Sequence, residues 1–532
     1  MLISKKKRLE YLRSIWGKSI EKHRNFDFIS YYHDLIDKEP KEQFIDNKTW
    51  DDLNFNSIFA QIDRNITGIG QQYLYHLLHK YEDDENVLKK RFTLIELFKN
   101  NQSFRESIQI DLLNIKGHSA YFISYLLTNK SLPNTKYFRL FYLCSFFSIL
   151  SVLLISINGL FLFLTLGILL LNIVLNRIFA NKIYEYFTGF SALNSLINTA
   201  LLISNTKTNI AVSEIEFLKE KSILLKQLKK KLGYFVIDKD SLNELVLVVI
   251  EYLNMFMLFD IIAYFRSVNI LLKYQNELLK VYRSVAILDT SIAISSYLVE
   301  LKKYSNPIFN TDGKITFKEL YHPLIVNAVP NSVDDIGNSV LITGSNMSGK
   351  TTFIKTIGIN FILAQTLYFC YAKFLNIPKY YIKTSIKRND DLENKKSYFF
   401  SELEQIKLFI ELAQAQEKYL FLIDEIFRGT NTVERLASST AVLDYLNKTN
   451  RVFVTTHDIE LQNLLDRQFK IYHFSEHFDN NTIFFNYKIK EGPCSSGNAI
   501  KLLEVMEYPE SIIKNSNKLV QEFISNQSRH NE

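Results

Sequence analysis

The apolar run Ser339-Val340-Leu341-Ile342-Thr343 leads straight into Gly344-Ser345-Asn346-Met347-Ser348-Gly349-Lys350-Thr351-Thr352, and then into a stretch rich in Ile, Phe and Leu. A buried strand, a glycine loop and a helix in that order are the frame of a phosphate-binding loop, and they commit this part of the chain to an α/β sheet. Gly344 and Gly349 allow backbone angles that a side chain would forbid, so successive N–H groups can curl around a polyphosphate. The helix N-terminus adds partial positive charge. In such a loop Lys350 reaches the β- and γ-phosphates and the Thr351 hydroxyl sits on Mg²⁺. The pattern implies binding of a nucleoside triphosphate.

Two further strand patterns supply the rest of such a site. Tyr419-Leu420-Phe421-Leu422-Ile423 is followed by Asp424-Glu425, which puts two carboxylates at the carboxyl end of a strand, where ligands of open α/β sheets bind. Asp424 is placed to hold Mg²⁺ and Glu425 to polarise the attacking water. A third strand, Arg451-Val452-Phe453-Val454-Thr455-Thr456, ends at His457, within reach of a γ-phosphate or its water.

These residues together resemble the MutS family of DNA mismatch-repair ATPases, closely over residues 315–520. The family's G-P-N-M-G-G-K-S-T loop corresponds to Gly344 through Thr352. Its D-E-x-x-R-G-T-[ST]-T is matched by Asp424-Glu425-Ile426-Phe427-Arg428-Gly429-Thr430-Asn431-Thr432, with Asn431 the one departure, and its T-T-H by Thr455-Thr456-His457. Asp390-Asp391-Leu392 and Ser397-Tyr398-Phe399-Phe400-Ser401-Glu402-Leu403 look like a further family element, whose serine reaches the partner's nucleotide; Ser397 holds that position. Tyr321-His322-Pro323 and Pro330-Asn331 resemble the segments that contact adenine, which makes His322 and Asn331 part of the expected ATP site. The L-S-G-G-Q signature of transporter ATPases is absent. The resemblance implies ATP and Mg²⁺ as cofactors, a homodimer closed by ATP, and DNA as a partner. Glu491-Gly492-Pro493-Cys494-Ser495-Ser496-Gly497-Asn498-Ala499 is similar to the stretch before the family's closing helices, and the chain then leaves no room for an appended nuclease.

Before residue 315 the likeness weakens. Asp52-Leu53-Asn54-Phe55 reads as a strand-like segment ahead of a helix that begins near Ile66-Thr67-Gly68-Ile69-Gly70, similar to the start of the family's core and lever region. The mismatch readers of the family use a Phe-x-Glu wedge. Phe104-Arg105-Glu106 matches the tripeptide but falls in a helical context, and too little chain is present for reader and connector domains, so direct mismatch reading of that kind is not expected. The basic start Lys5-Lys6-Lys7-Arg8 has no apolar h-region and is no signal peptide.

Residues 140–176 carry no charge at all, lying between Arg139 and Arg177. Asn158-Gly159 divides them into apolar segments of 18 and 17 residues, and a spanning helix needs about 20. Tyr137, Tyr142, Tyr184 and Tyr186 suit an interfacial belt, and Lys136, Arg139, Arg177 and Lys182 put positive charge at both ends. The expectation is a two-helix transmembrane hairpin with both ends in the cytoplasm. Residues 181–305 return to amphipathic helix with a basic cluster, Lys226, Lys229, Lys230 and Lys231, more typical of a solvated face than of a phosphate contact.

A net charge of +7 with 22% charged residues permits contact with nucleic acid or anionic lipid without requiring either. Cys144, Cys370 and Cys494 are far apart and have no metal spacing, so the sequence suggests neither a zinc site nor a disulfide framework and fits a reducing compartment. The expected organisation is a basic helical arm (1–44), a core-like helical segment (45–135), the hairpin (136–181), helical levers (182–310) and an α/β P-loop NTPase domain with closing helices (311–532). The expected location is the inner, cytoplasmic membrane with the ATPase domain in the cytoplasm. Function divides between a DNA-structure sensor and an ATP-driven switch acting on an unidentified protein or on the membrane, without nucleic acid.

Overall fold

The computed structural model describes residues 5–529 except 37, 39–42, 116, 129–137, 207–209, 234–243, 346–347, 387–397, 416, 480–481 and 494–498. The chain forms two compact units: a helical one from residues 1–38, 59–77 and 90–302, and an α/β one from residues 39–58, 78–89 and 303–532. In chain order the first helices are α1 (Lys5–Ile15), α2 (Phe26–Leu35), α3 (Asn47–Asp52), α4 (Phe55–Ile62), α5 (Gly68–His79), α6 (Glu85–Asn100), α7 (Gln102–Leu112) and α8 (Phe122–Thr128). They continue with α9 (Phe138–Ile155), α10 (Phe161–Ser204), α11 (Ser213–Glu220), α12 (Ser222–Gly233), α13 (Glu244–Met257) and α14 (Phe259–Glu300).

The helical unit is organised on α10 and α14, of 44 and 42 residues. At 1.5 Å per residue α10 spans about 65 Å, while α14 is kinked at Tyr274, which leaves helical backbone angles at φ −118° and ψ 15°. Their inward residues Leu193, Leu196, Ile197, Val281, Val285 and Leu288 join Phe98, Ile108 and Leu126 in one apolar core. Two buried carboxylates pin the entry to α5. Asp289 accepts from the Ile66 and Thr67 amides at 3.0 and 2.9 Å and from the Thr67 hydroxyl at 2.6 Å. Asp63 accepts from Lys22, Arg24 and Gln71. The segment around Asp52-Leu53-Asn54-Phe55, expected to be strand-like, is helical instead. Asp46 caps α3 by accepting from Thr49 N at 2.8 Å, and Asn54 turns the chain into α4 at φ 56°. A cap and an αL residue favour two short helices over an extended run.

Phe104, Arg105 and Glu106 lie buried on α7. Phe104 stacks on Phe98, Arg105 covers the Trp16 ring, and Glu106 pairs with Arg13 at 2.8 and 2.9 Å. The tripeptide is packing within this unit.

Around the uncharged run, α9 and α10 pack together with Asn158-Gly159 in the turn between them. Among the described residues, one stretch is long and apolar enough to cross a membrane, Phe161–Phe179 within α10; Arg139–Ile155 is apolar but shorter. Both present large apolar side chains outward, including Phe146, Leu153, Phe163 and Leu170.

The α/β unit holds β1 (Ile308–Phe309), β2 (Ile315–Leu320), β3 (Asn331–Ile336), β4 (Ser339–Thr343), α15 (Lys350–Leu367), β5 (Phe374–Ile377), β6 (Tyr381–Ser385), α16 (Tyr398–Leu412) and β7 (Tyr419–Asp424). Then come α17 (Thr432–Asn447), β8 (Arg451–Thr455), α18 (Glu460–Leu465), β9 (Phe469–Asp479), β10 (Thr482–Glu491), α19 (Ala499–Val505) and α20 (Glu510–Arg529). Six strands form a sheet in the order β10-β9-β4-β8-β7-β6, parallel except for the β9–β10 pair. A four-stranded mixed sheet runs β1-β5-β2-β3. Strand β4 is buried along its whole length, as a central parallel strand must be. Asp52 of α3 belongs to this unit: it accepts from Thr384 Oγ1 and Ile386 N at the end of β6, at 2.8 and 2.9 Å.

Candidate nucleotide site

Strand order decides the site. Because β8 lies between β4 and β7, the carboxyl ends of all three converge, with Ile342 and Asp424 both in register with Thr455. The loop after β4 turns at Gly344, φ 140°, and Gly349, φ 104°, values open to glycine. A Cβ on Gly344 would lie 2.6 Å from the Phe474 carbonyl oxygen, so the close approach of β9 requires glycine there as well. Lys350, the first residue of α15, curls back and donates to the Gly344 and Ser345 carbonyls at 2.7 and 2.8 Å. Ser348 Oγ donates to Ser345 O at 2.8 Å, and Ser345 Oγ to Glu476 at 3.0 Å. Asn346 and Met347 lie outside the described residues, as do Ser397 and Asp390-Asp391-Leu392.

Thr351 Oγ1 donates to Asp424 Oδ2 at 2.8 Å, and the Thr455 hydroxyl donates to Asp424 Oδ1. Glu425, 7% exposed, sits at φ 62° with its amide donating to Thr455 O at 3.0 Å. A non-glycine residue in that region costs of order 1 kcal/mol or more and persists where its surroundings hold it. Here Phe427, also at positive φ, donates its amide to buried Glu402 at 2.6 Å, and Arg428 pairs with the Glu425 carboxylate.

His457 Nε2 lies 2.6 Å from Glu425 Oε1 and 3.4 Å from Lys350 Nζ. Burial, then the Lys350 and Arg428 charges, push its pKa down to about 4, so the imidazole is neutral near pH 7. With its proton on Nε2 it donates to Glu425, and Lys350 is then an electrostatic neighbour rather than a hydrogen-bond partner.

Beside Lys350 and Thr352 opens a cavity of about 530 Å³ that also borders His322, Ile325, Asn331 and Tyr487. That is room for a base and sugar next to a polyphosphate loop. His322 is buried, its pKa brought down to about 4 by that burial and by Lys355, and its Nδ1 accepts from Leu324 N at 3.2 Å. Asn331 spans to β10, donating to Tyr487 O at 3.0 Å and accepting from Ile489 N at 2.8 Å. Both residues singled out for adenine therefore line one wall. The Thr351 hydroxyl and Asp424 carboxylate form a pair of hard oxygen donors beside the loop. That suits Mg²⁺, which takes one or two protein ligands plus phosphate oxygens and keeps several waters. Among the described residues no cluster of three or more His, Cys, Asp or Glu offers a separate metal site.

Two contributors carried no clear sequence signal. Glu476 acts through a long-range hydrogen bond, and Tyr487 reaches the cavity from an irregular point in the β9–β10 pairing, at φ 53°. Asn431, the departure from the family pattern, caps α17 by accepting from Glu434 N at 3.0 Å, a task Ser or Thr also performs.

Residues 340–524 match the family model for MutS domain V. The chain is 30% identical over 269 residues to the DNA mismatch repair protein MutS of Listeria innocua serovar 6a, covering 48% of this chain and 31% of that protein. It is 29% identical over 271 residues to the MutS of Thermotoga petrophila, covering 49% and 33%, and 29% over 274 residues to that of Streptococcus pyogenes serotype M49, covering 49% and 32%. It thus spans about a third of the length of these curated relatives. By its loop, its acidic strand end and this match, the C-terminal part of the chain, residues 340–524, is a MutS domain V, the ATPase domain of the MutS family.

Proposed function

We propose that the protein binds ATP with Mg²⁺ and hydrolyses it by in-line attack of water on the γ-phosphate, as a MutS-like ATPase that engages mismatched, damaged or branched DNA. The observation that carries this reading is the convergence of Lys350, Thr351 and Glu425 on one cavity, with Asp424 bonded to Thr351 and His457 to Glu425 behind them. The loop from Gly344 to Thr352 receives the phosphates and His322 and Asn331 flank the base. Thr351 and Asp424 hold Mg²⁺, which supplies charge neutralisation when bound. Glu425 orients the water, and neutral His457 steadies that carboxylate and reaches the γ-phosphate. Ser397 completes the site of a second copy, so the working form is a homodimer with helical levers from residues 182–310.

We further propose that residues 136–181 anchor the chain in the inner, cytoplasmic membrane as a hairpin, with the ATPase domain on the cytoplasmic side. The outward apolar faces of α9 and α10 and the flanking Arg139 and Arg177 support that reading. A second reading, an ATP-driven switch on a membrane or protein partner, draws on the burial of Phe104-Arg105-Glu106 as packing.

Hydrolysis measured with homoduplex, mismatched and branched DNA tests the two. Stimulation by any of them is expected; rates and binding indifferent to all three would leave the switch. For the anchor, the full-length chain is expected to pellet with membranes and resist carbonate, and deletion of residues 138–180 to release a protein that still binds ATP. Recovery of the intact chain in the soluble fraction without detergent would refute the anchor.

A further inference from the structure

Four helix segments of the helical unit meet at two levels. At the first, the rings of Phe141 (α9), Phe179 (α10) and Phe265 (α14) cluster with centroids 5.2–6.3 Å apart. Arg139, Arg177 and Arg266 stand one or two residues away in the three helices, all exposed. At the second level Asn172, fully buried in the middle of the apolar stretch Phe161–Phe179, donates to Ser148 Oγ of α9 at 2.8 Å and to the Phe256 carbonyl of α13 at 2.7 Å. Ser148 and Asn172 are each seven residues from their phenylalanine, about 10 Å along a helix. Leu258, where α13 breaks into α14, is seven residues from Phe265.

The break itself leaves few polar groups open. Leu258 is fully buried in the left-handed region, φ 56° and ψ 32°. Its amide donates to Asn254 O at 2.8 Å, and the buried Asn254 side chain accepts from Asp260 N at 3.0 Å, capping the start of α14. Irregular backbone at membrane depth is tolerated only where it is shielded and satisfied in this way. Asp260, the one charged residue between Glu251 and Arg266, lies in that first turn, where the helix dipole favours a carboxylate. Away from α9 and α10, α13 and the following turn expose Val248, Val249, Tyr252, Leu253, Met255 and Phe259.

We propose that α13 and the first two turns of α14 form a re-entrant hairpin that dips into the same bilayer as α9 and α10, with Leu258 at its apex. The inference rests on the anchor reading. Asn172 sets the depth: a polar side chain within an apolar span turns to protein partners, and one of its partners is the α13 backbone beside the apex. α13 packs against both α9 and α10 and carries exposed apolar side chains as they do, so one lipid phase would cover all three.

The full-length protein is reconstituted in phosphatidylethanolamine–phosphatidylglycerol vesicles that carry a phospholipid with a diazirine in its acyl chain. After photolysis, adducts are mapped by mass spectrometry. Adducts are expected on residues 248–259 as on 161–179, and not on the buried Leu193–Ile197 stretch of α10. Replacing Val249 and Leu253 together by lysine is expected to abolish adducts on 248–259 and leave those on 161–179. Adducts on 161–179 with none on 248–259 overturn the re-entrant hairpin and spare the anchor. Absence from both overturns the hairpin along with the anchor.

Discussion

Thr351 and Asp424, 73 residues apart in the chain, are joined by a hydrogen bond of 2.8 Å from the Thr351 hydroxyl to Asp424 Oδ2. The bond ties the first turn of α15 to the end of β7 and sets two oxygens where a phosphate-bound cation would lie. Glu425, the next residue, is turned by its positive φ toward His457 rather than along the strand.

Glu425→Gln is expected to keep ATP and Mg²⁺ bound while turnover falls by about 10²–10⁴, the usual weight of a group that positions or deprotonates water. Lys350→Ala is expected to lose nucleotide affinity itself. Binding by calorimetry beside single-turnover hydrolysis separates the two effects, and normal hydrolysis by Glu425→Gln would remove Glu425 from its role.

If Ser397 acts on the partner's nucleotide, Ser397→Ala weakens ATP-induced dimerisation while each monomer stays folded. Mixing it with Lys350→Ala protein is then expected to restore no more than one working site per dimer. Full activity from the mixture would show that the sites are not shared.

His322 and His457 have folded pKa values of about 4, below the ordinary 6.5. As pH falls below 6.5 the unfolded chain takes up protons first, so stability present above 6.5 is lost progressively down to 4. Asp46, held below the usual carboxylate range by Lys383 and the Thr49 bonds against its burial, shifts the balance the same way at lower pH. For buried His322 the loss is about 1–2 kcal/mol between pH 7 and pH 5. Urea unfolding of the α/β unit, followed by Trp50 fluorescence in a Trp16→Phe protein, is expected to show a lower midpoint at pH 5. His322→Asn is expected to shrink that difference; an unchanged difference would place the shift elsewhere.

Gly70→Ala ought to help a helix by about 1 kcal/mol on propensity alone. Here the added Cβ would lie 2.2 Å from Asp289 Oδ2 and 3.0 Å from Asn65 Oδ1. Asp289 cannot swing away without dropping the Ile66 and Thr67 amides. The variant is expected to lower the stability of the helical unit by about 1–3 kcal/mol. Unchanged or higher thermal stability would show that Asp289 has room to move.

What the sequence determined alone is what local chemistry can encode. The glycine loop between Ser339–Thr343 and the start of α15, the acidic end of β7 and the Thr455-Thr456-His457 turn are legible because each needs particular residues at fixed spacing. The uncharged run is legible as two apolar helices because Asn158-Gly159 interrupts it, and α9 and α10 do meet with that pair in the turn between them. The tertiary structure decided the matters that depend on partners distant in the chain. Asp52 is an acid in a short amphipathic stretch until Thr384 and Ile386 donate to it, and that makes α3 part of the α/β unit. Glu476 gains its place only when β9 lies beside the loop after β4, and Glu402 only when α16 packs beside the turn that follows β7. Phe104-Arg105-Glu106, discounted as a wedge from its helical context alone, gains its packing role from Phe98, Trp16 and Arg13. Hydrogen bonds across dozens of residues leave no periodic trace in the sequence, because the same side chains, exposed, would serve equally well as solvated surface.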